Sequence, residues 1–125
     1  MFDHLSLGVS DLAAARRFYD AFLSPLGASL TSIGDAELGY GPTGKGAQFY
    51  LYPVDGERVA GLGSHIAFTA ESRLAVDAAF ASAVAGGATV IRPAREHPDI
   101  AAGYYGAVLL DPDGNKLEIV AGTMH

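Results

Sequence analysis

The 125-residue chain contains no cysteine, which excludes disulfide scaffolds, thiolate metal sites and cysteine nucleophiles. It has no apolar run of membrane-spanning length and no basic-then-apolar leader, so a soluble cytoplasmic protein with no membrane partner is expected. Basic residues are few and scattered: eight Lys and Arg stand against 14 Asp and Glu, for a net charge of -6. Such a chain repels phosphate backbones more than it attracts them, so nucleic acid is not an expected partner. The acidity chiefly favours solubility, and holding a particular anion would need a local pocket. No glycine-rich phosphate cradle is present, because Gly86-Gly87 follows a helical stripe and suits a C-terminal cap. Ser64 lacks the glycine spacing of a serine-nucleophile elbow.

What the chain does have is apolar periodicity. Hydrophobic residues make up 50% and charged residues 18%, a balance that folds. Leu5, Leu7 and Val9 alternate with His4, Ser6 and Gly8 in a strand predicted from Phe2 to Val9. Ser10 or Asp11 caps a helix whose stripe is Leu12, Ala15, Tyr19, Phe22, Leu23 and Leu26. Strands follow at Ala28 to Ile33, Glu37 to Tyr40 and Ala47 to Tyr52, separated by glycine and proline. A polar stretch from Val54 to Arg58 then leads to a second round. Its first strand is Ser64 to Thr69, and its helix is capped by Ser72 with the stripe Val76, Phe80, Ala83 and Val84. Three more strands are predicted near Ala88 to Arg92, Tyr104 to Leu110 and Lys116 to Val120.

Landmarks keep a steady spacing: His65 lies 61 residues after His4, and Gly87 lies 60 after Gly27. A sustained offset in both strand and helix landmarks is the mark of a duplicated unit. Neither half, at about 60 residues, would be comfortably stable alone. The expected architecture is α+β, a single domain over residues 1–125 with module one at about 1–56 and module two at about 63–122. Two βαβββ modules would form a curved, mostly antiparallel sheet around a cup, with the helices outside. Leu5/Leu7, Phe49/Leu51, Ile66/Phe68 and Leu117/Ile119 would face the helices. His4, Gln48/Tyr50/Tyr52, His65 and Glu118 would then face the cup.

His4, His65 and Glu118 form the sharpest constellation. Two imidazoles and a carboxylate on a rigid scaffold can hold a divalent ion on one face and leave positions open. Nitrogen and oxygen donors suit Zn, Ni, Mn or Fe. Read singly, His4 suits an N-terminal surface position, His65 a hydrogen-bonded core histidine and Glu118 an edge-strand carboxylate. Glu118 argues against that reading, because it sits within Leu117-Glu118-Ile119-Val120, where burial without a partner is costly. Asp111-Pro112-Asp113-Gly114-Asn115 is a tight turn by composition, which fixes where Glu118 falls on the next strand.

Three passages resemble the vicinal oxygen chelate superfamily of glyoxalases, bleomycin-resistance proteins and extradiol dioxygenases. They are His4-Leu5-Ser6-Leu7-Gly8-Val9-Ser10-Asp11-Leu12 leading into Arg17-Phe18-Tyr19, then His65-Ile66-Ala67-Phe68, and Gly103-Tyr104-Tyr105-Gly106-Ala107 followed by Asp111 to Glu118. The resemblance implies paired βαβββ modules, often in a homodimer, and a metal in the cup that chelates adjacent substrate oxygens. It maps the ligands onto His4, His65 and Glu118. A glyoxalase would carry a fourth ligand in module one, where this chain has Tyr50 by analogy of Phe49-Tyr50-Leu51 with Leu117-Glu118-Ile119, or else Gln48. In several relatives the cup is completed across a dimer, so His4 is a candidate ligand for the partner's site.

The segment from Arg92 to Tyr105 is the main departure between the halves. His97 is a candidate general acid/base, because an unperturbed imidazole titrates near neutrality. Arg92 or Arg95 can pair with a substrate carboxylate, and Gln48, Tyr50, Tyr52 and Tyr105 are candidate pocket residues. A solvated loop bent at Pro98 is the alternative for this segment. Two functions fit. One is a divalent-metal-dependent enzyme of lyase, isomerase, thiol-transferase or dioxygenase type acting on a small metabolite with adjacent oxygens. The other is a metal-free, sequestering protein of bleomycin-resistance type whose tyrosine-lined cup takes an aromatic or cationic ligand.

Overall fold

A computed structural model of the chain describes residues 1–55, 61 and 63–122; the polar stretch beyond Asp55 and His125 lie outside the described residues. Module one runs β1 (Leu5–Val9), α1 (Leu12–Leu23), β2 (Ala28–Gly34), β3 (Glu37–Pro42) and β4 (Phe49–Pro53). Module two repeats the order with β5 (His65–Thr69), α2 (Arg73–Ala85), β6 (Thr89–Glu96), β7 (Tyr105–Leu110) and β8 (Lys116–Ala121). The sheets are ordered β1-β4-β3-β2 and β5-β8-β7-β6. Among the described residues only β1–β4 and β5–β8 are parallel; the other pairs are antiparallel. This is the α+β pair of βαβββ modules. Among the described residues the two sheets remain separate ladders, and packing joins them.

Local chemistry accounts for the elements. Asp11 is the cap of α1, its Oδ1 accepting from the Ala14 amide at 3.0 Å. Ser72 caps α2 in the same way, its Oγ accepting from the Ala75 amide at 3.1 Å. A short 3-10 turn over Ser24–Leu26 ends α1, and Gly27 supplies the positive φ of 78° needed to turn into β2. Alternation puts Leu38, Tyr40, Phe49 and Leu51 under α1, and Leu117, Ile119, Ala107 and Leu109 in the second half of the same core. Phe68 of β5 meets Phe22 of α1 and Phe49 of β4 edge to face, at 5.7 and 5.3 Å between ring centroids. Burying each such ring is worth about 2–3 kcal/mol, so this contact binds the modules strongly.

Three expectations need correction. The ladder of β1 begins at Leu5, which leaves Phe2, Asp3 and His4 ahead of the strand. The buried stripe of α2 is Val76, Ala79 and Ala83, while Val84 is 44% exposed. Small residues there let α2 approach closely, and at its end a Cβ on Gly86 would stand 2.9 Å from the Phe18 ring of α1. Finally, β6 continues four residues beyond Arg92 into the expected loop. It does so as an edge strand with register shifts on both sides of Arg92, the setting in which Pro93 is tolerated.

The Asp111–Asn115 turn holds the modules together. The Asp111 carboxyl, 3% exposed, accepts four hydrogen bonds: Asp113 N and Asn115 N on Oδ1, and Tyr19 Oη and Asn115 Nδ2 on Oδ2. Asn115 Nδ2 also donates to the Gly8 carbonyl, and the Ser10 amide donates to Asp113 Oδ2. Burial, and then the adjacent Asp111, push the Tyr19 phenol well above its usual 10.0. A phenol whose folded pKa is raised stabilises the fold fully below the unfolded value and loses that contribution as pH climbs past it. Tyr19→Phe should therefore lower stability by about 1–2 kcal/mol at pH 8. Urea denaturation should show the gap closing between pH 10 and about 11.5, at roughly 1.4 kcal/mol per unit. A gap independent of pH would mean that the hydroxyl contributes nothing specific.

Candidate functional site

Register places the candidate residues. Leu5 pairs with Phe49 and Ser6 with Tyr50 in module one; Ile66 pairs with Leu117 and Ala67 with Glu118 in module two. His4 and Tyr50 thus stand to module one as His65 and Glu118 stand to module two. Tyr50, rather than Gln48, is the counterpart of Glu118.

In module two, His65 Nε2 lies 3.8 Å from Glu118 Oε1. The Glu118 side chain is 17% exposed and that of His65 is 48% exposed, so the pair opens to solvent from one side. The other carboxylate oxygen, Oε2, accepts from Tyr104 Oη at 3.3 Å. Burial, then the charge of Glu118, push the Tyr104 phenol up to about 12, so it remains a donor at neutral pH. Val108 pairs with Glu118 on one side and with Arg92 on the other, which brings Arg92 to the same face two strands away. Arg92 Nη1 donates to Asp99 Oδ2 at 2.9 Å and holds that carboxyl below its ordinary range.

In module one, His4 Nδ1 lies 2.6 Å from Asp3 Oδ1, and its ring meets Tyr50 edge-on at 5.5 Å. Tyr50 and Tyr52 stack at 6.4 Å with 26° between planes. A hydrogen bond to Glu37 raises the Tyr52 phenol pKa. Gln48 lies beside His4 in a crevice of ≈ 240 Å³ that also touches Ile66, Ala67 and Phe68 of β5. Among the described residues no three His, Cys, Asp or Glu side chains gather into a group that could hold a metal. His4, His65 and Glu118 therefore do not form such a group within one chain.

Two candidates sit elsewhere than expected. Tyr105 turns to the helix side, where its hydroxyl donates to Asp77 of α2 at 2.6 Å and Arg73 covers its ring at 4.9 Å. Arg73 also bonds Glu96 at 2.7 Å, and together these groups strap α2 to β6 and β7. His97 is 1% exposed, its Nε2 lies 2.8 Å from the Pro93 carbonyl and its Nδ1 meets no partner among the described residues. A carbonyl can only accept, so the ring proton is on Nε2. Arg95 donates to the Glu96 carbonyl. Tyr104 is the site residue that sequence reasoning passed over. Its signal was the turn: counting back from Asp111–Asn115 puts Val108 opposite Glu118, and Tyr104 on the face of Val108.

A family model described as Glyoxalase/Bleomycin resistance protein/Dioxygenase superfamily matches residues 1–119. The uncharacterized protein YqjT of Bacillus subtilis (strain 168) is 36% identical, over 94% of this chain and 96% of its own. The crystal structure of a glyoxalase/bleomycin resistance protein from Albidiferax ferrireducens T118 superposes with a TM-score of 0.82 at 31% identity, over 96% of this chain and 97% of the other. The fosfomycin resistance protein FosX from Listeria monocytogenes shares the fold, with a TM-score of 0.72 at 23% identity over 99% and 94% of the two chains.

The placement of His97 has a measurable consequence. Truncating a fully buried ring leaves a cavity and strips the Pro93 carbonyl of its donor, so His97→Ala should cost about 2–4 kcal/mol of stability. Urea denaturation at pH 8 measures it. A variant as stable as the wild type would mean that the ring is in solvent.

Proposed function

The chain belongs to the glyoxalase/bleomycin resistance protein/dioxygenase superfamily, and from that premise we propose that it is a divalent-metal-dependent enzyme acting on a small metabolite with adjacent oxygens. The observation that carries this reading is the 3.8 Å approach of His65 Nε2 to Glu118 Oε1. A tetrahedral ion with bonds of about 2.0–2.2 Å sets its donors about 3.4 Å apart, so the pair would have to close by a few tenths of an ångström to share one. Imidazole plus carboxylate suits Zn, Ni, Mn or Fe. His4 completes the set, and because the three form no metal-holding group within one chain, the reading takes it from a second copy in a homodimer. The ion would supply Lewis acidity to the substrate's neighbouring oxygens, which is chemistry common to lyases, isomerases, thiol transferases and dioxygenases.

The chain's own residues have separate tasks in this scheme. His65 and Glu118 would hold the ion from one wall. Arg92, on the Glu118 face, receives an anionic group of the substrate by exchanging it for Asp99. Tyr50, Tyr52 and Gln48 form the opposite wall, where the stacked phenols bury and orient the substrate. Tyr50, in the place of a fourth ligand, would offer the substrate a phenol face where a carboxylate would otherwise stand. His97, walled off and bonded to Pro93, takes no part in proton transfer, and Tyr105 belongs to the strap on α2.

A second reading, metal-free sequestration of an aromatic or cationic ligand, is favoured by the His4–Tyr50–Tyr52 row and the carboxyl of Glu37 beside it. Metal analysis separates the two. Protein purified without chelator should carry about one divalent ion per chain, and His4→Ala, His65→Ala and Glu118→Ala should each lose it. Co-expressing His4→Ala with Glu118→Ala should restore binding, because the mixed dimer regains one intact site. A wild type devoid of metal overturns the enzymatic reading, and failure of the mixed dimer overturns the shared site.

A further inference from the structure

The two oxygens of Glu118 have different surroundings. Oε1 faces His65 Nε2 at 3.8 Å, and Oε2 accepts from Tyr104 Oη at 3.3 Å. We propose that Tyr104 is a positioning residue: its hydroxyl occupies Oε2, so that Glu118 presents Oε1 alone as a monodentate ligand beside His65. This rests on the reading of His65 and Glu118 as metal ligands, and it adds which oxygen coordinates and what enforces the choice.

Tyr104 is built into its place. The residue is 1% exposed, so the phenol is available to nothing but its neighbours. Its ring lies over Gly106, where a Cβ would come within 2.8 Å of Tyr104 Oη, 2.9 Å of Cζ and 2.3 Å of the Ile119 carbonyl oxygen. A larger residue at 106 would clash first with the Ile119 carbonyl of β8 and then with the Tyr104 ring. On its other side stands the buried His97 ring, edge-on at 5.8 Å between centroids. That contact gives His97 a purpose that needs no proton transfer.

The connection that carries both rings is closed on itself. The His97 amide donates to the Tyr104 carbonyl at 3.3 Å, the Ile100 amide to the His97 carbonyl at 3.0 Å and the Tyr104 amide to the Ala101 carbonyl at 3.2 Å. His97 Nε2 bonds Pro93, and Asp99 is tied to Arg92. In module one the corresponding connection between β2 and β3 is only Asp35-Ala36, with Gly34 paired to Glu37. The half that has Tyr50 in place of Glu118 lacks the long connection; the half with the carboxylate has it. The added residues follow the carboxylate.

The test uses the full-length protein stripped of metal and titrated with Zn²⁺ and Mn²⁺. Tyr104→Phe keeps the ring and removes only the hydroxyl; its affinity should fall about 10–100-fold, the usual effect of losing a hydrogen bond to a ligand. The visible spectrum of the Co²⁺-loaded variant should also differ from wild type. Equal affinities with identical Co²⁺ spectra would overturn the proposal and reduce Tyr104 to packing. A wild type that binds no divalent ion overturns the ligand reading itself, a result visible before any variant is made. Should Tyr104→Phe fail to fold, the infrared difference spectrum of wild type on adding Zn²⁺ decides the matter: a monodentate carboxylate signature supports the proposal, and a bidentate one overturns it.

Discussion

A carboxyl group leaves water at a cost of several kcal/mol unless hydrogen-bond donors replace the water it loses. Asp111 meets that condition with four donors, one of which, Tyr19, comes from the other module. Its neighbour Asn115 extends the link to the Gly8 carbonyl at the end of β1. The geometry of the turn therefore sets where β1 and α1 sit relative to β8. Because β8 begins at Lys116, one residue past this network, the position of Glu118 is set by the same bonds that dock the modules. The apolar contact among Phe22, Phe49 and Phe68 supplies adhesion, but aromatic packing tolerates small rotations. Directional bonds to a buried carboxyl do not.

Much of the fold was legible, for a specific reason. Strand alternation and helical stripes are local signals with fixed periods, and the duplication let each half check the other. The faces of Phe49, Leu51, Leu117 and Ile119 follow from parity alone. Signals failed where a residue's role depends on a distant partner. Asp111 reads as an ordinary turn residue, since nothing local reveals Tyr19 ninety-two positions away. The extension of β6 was hidden because Pro93 and two register shifts break the alternation that announces a strand.

The site shows the same division. Glu118 and His65 were visible as polar residues set in apolar strands. In Tyr104-Tyr105 two identical neighbours point to opposite faces, and the irregular segment before them carries no parity to say which is which. Composition favours neither. Only the register across β7 and β8 assigns Tyr104 to Glu118 and Tyr105 to Asp77. His97 was attractive because histidine so often titrates near neutrality, yet a loop histidine's burial is decided by how the loop closes, which depends on Tyr104, Asp99 and Pro93 at once.

Duplication produces two equal scaffolds, but chemistry needs unequal walls. With the same register in both halves, a single residue type decides the character of each face: a carboxylate at 118, which can hold a cation, and a phenol at 50, which can stack but not readily ligate. On the role proposed for Tyr104, the long connection that seats it serves the carboxylate side, where the direction of a lone pair would matter. On the other side the aromatic surface is flat and tolerant, and a two-residue turn suffices. On the reading proposed above, with no metal-holding group formed by His4, His65 and Glu118 in one chain, a cup that uses both walls would bring the module-one face of one copy to the module-two face of another. In that proposal assembly and site completion are one equilibrium, in which anything that bridged the walls would also favour the dimer.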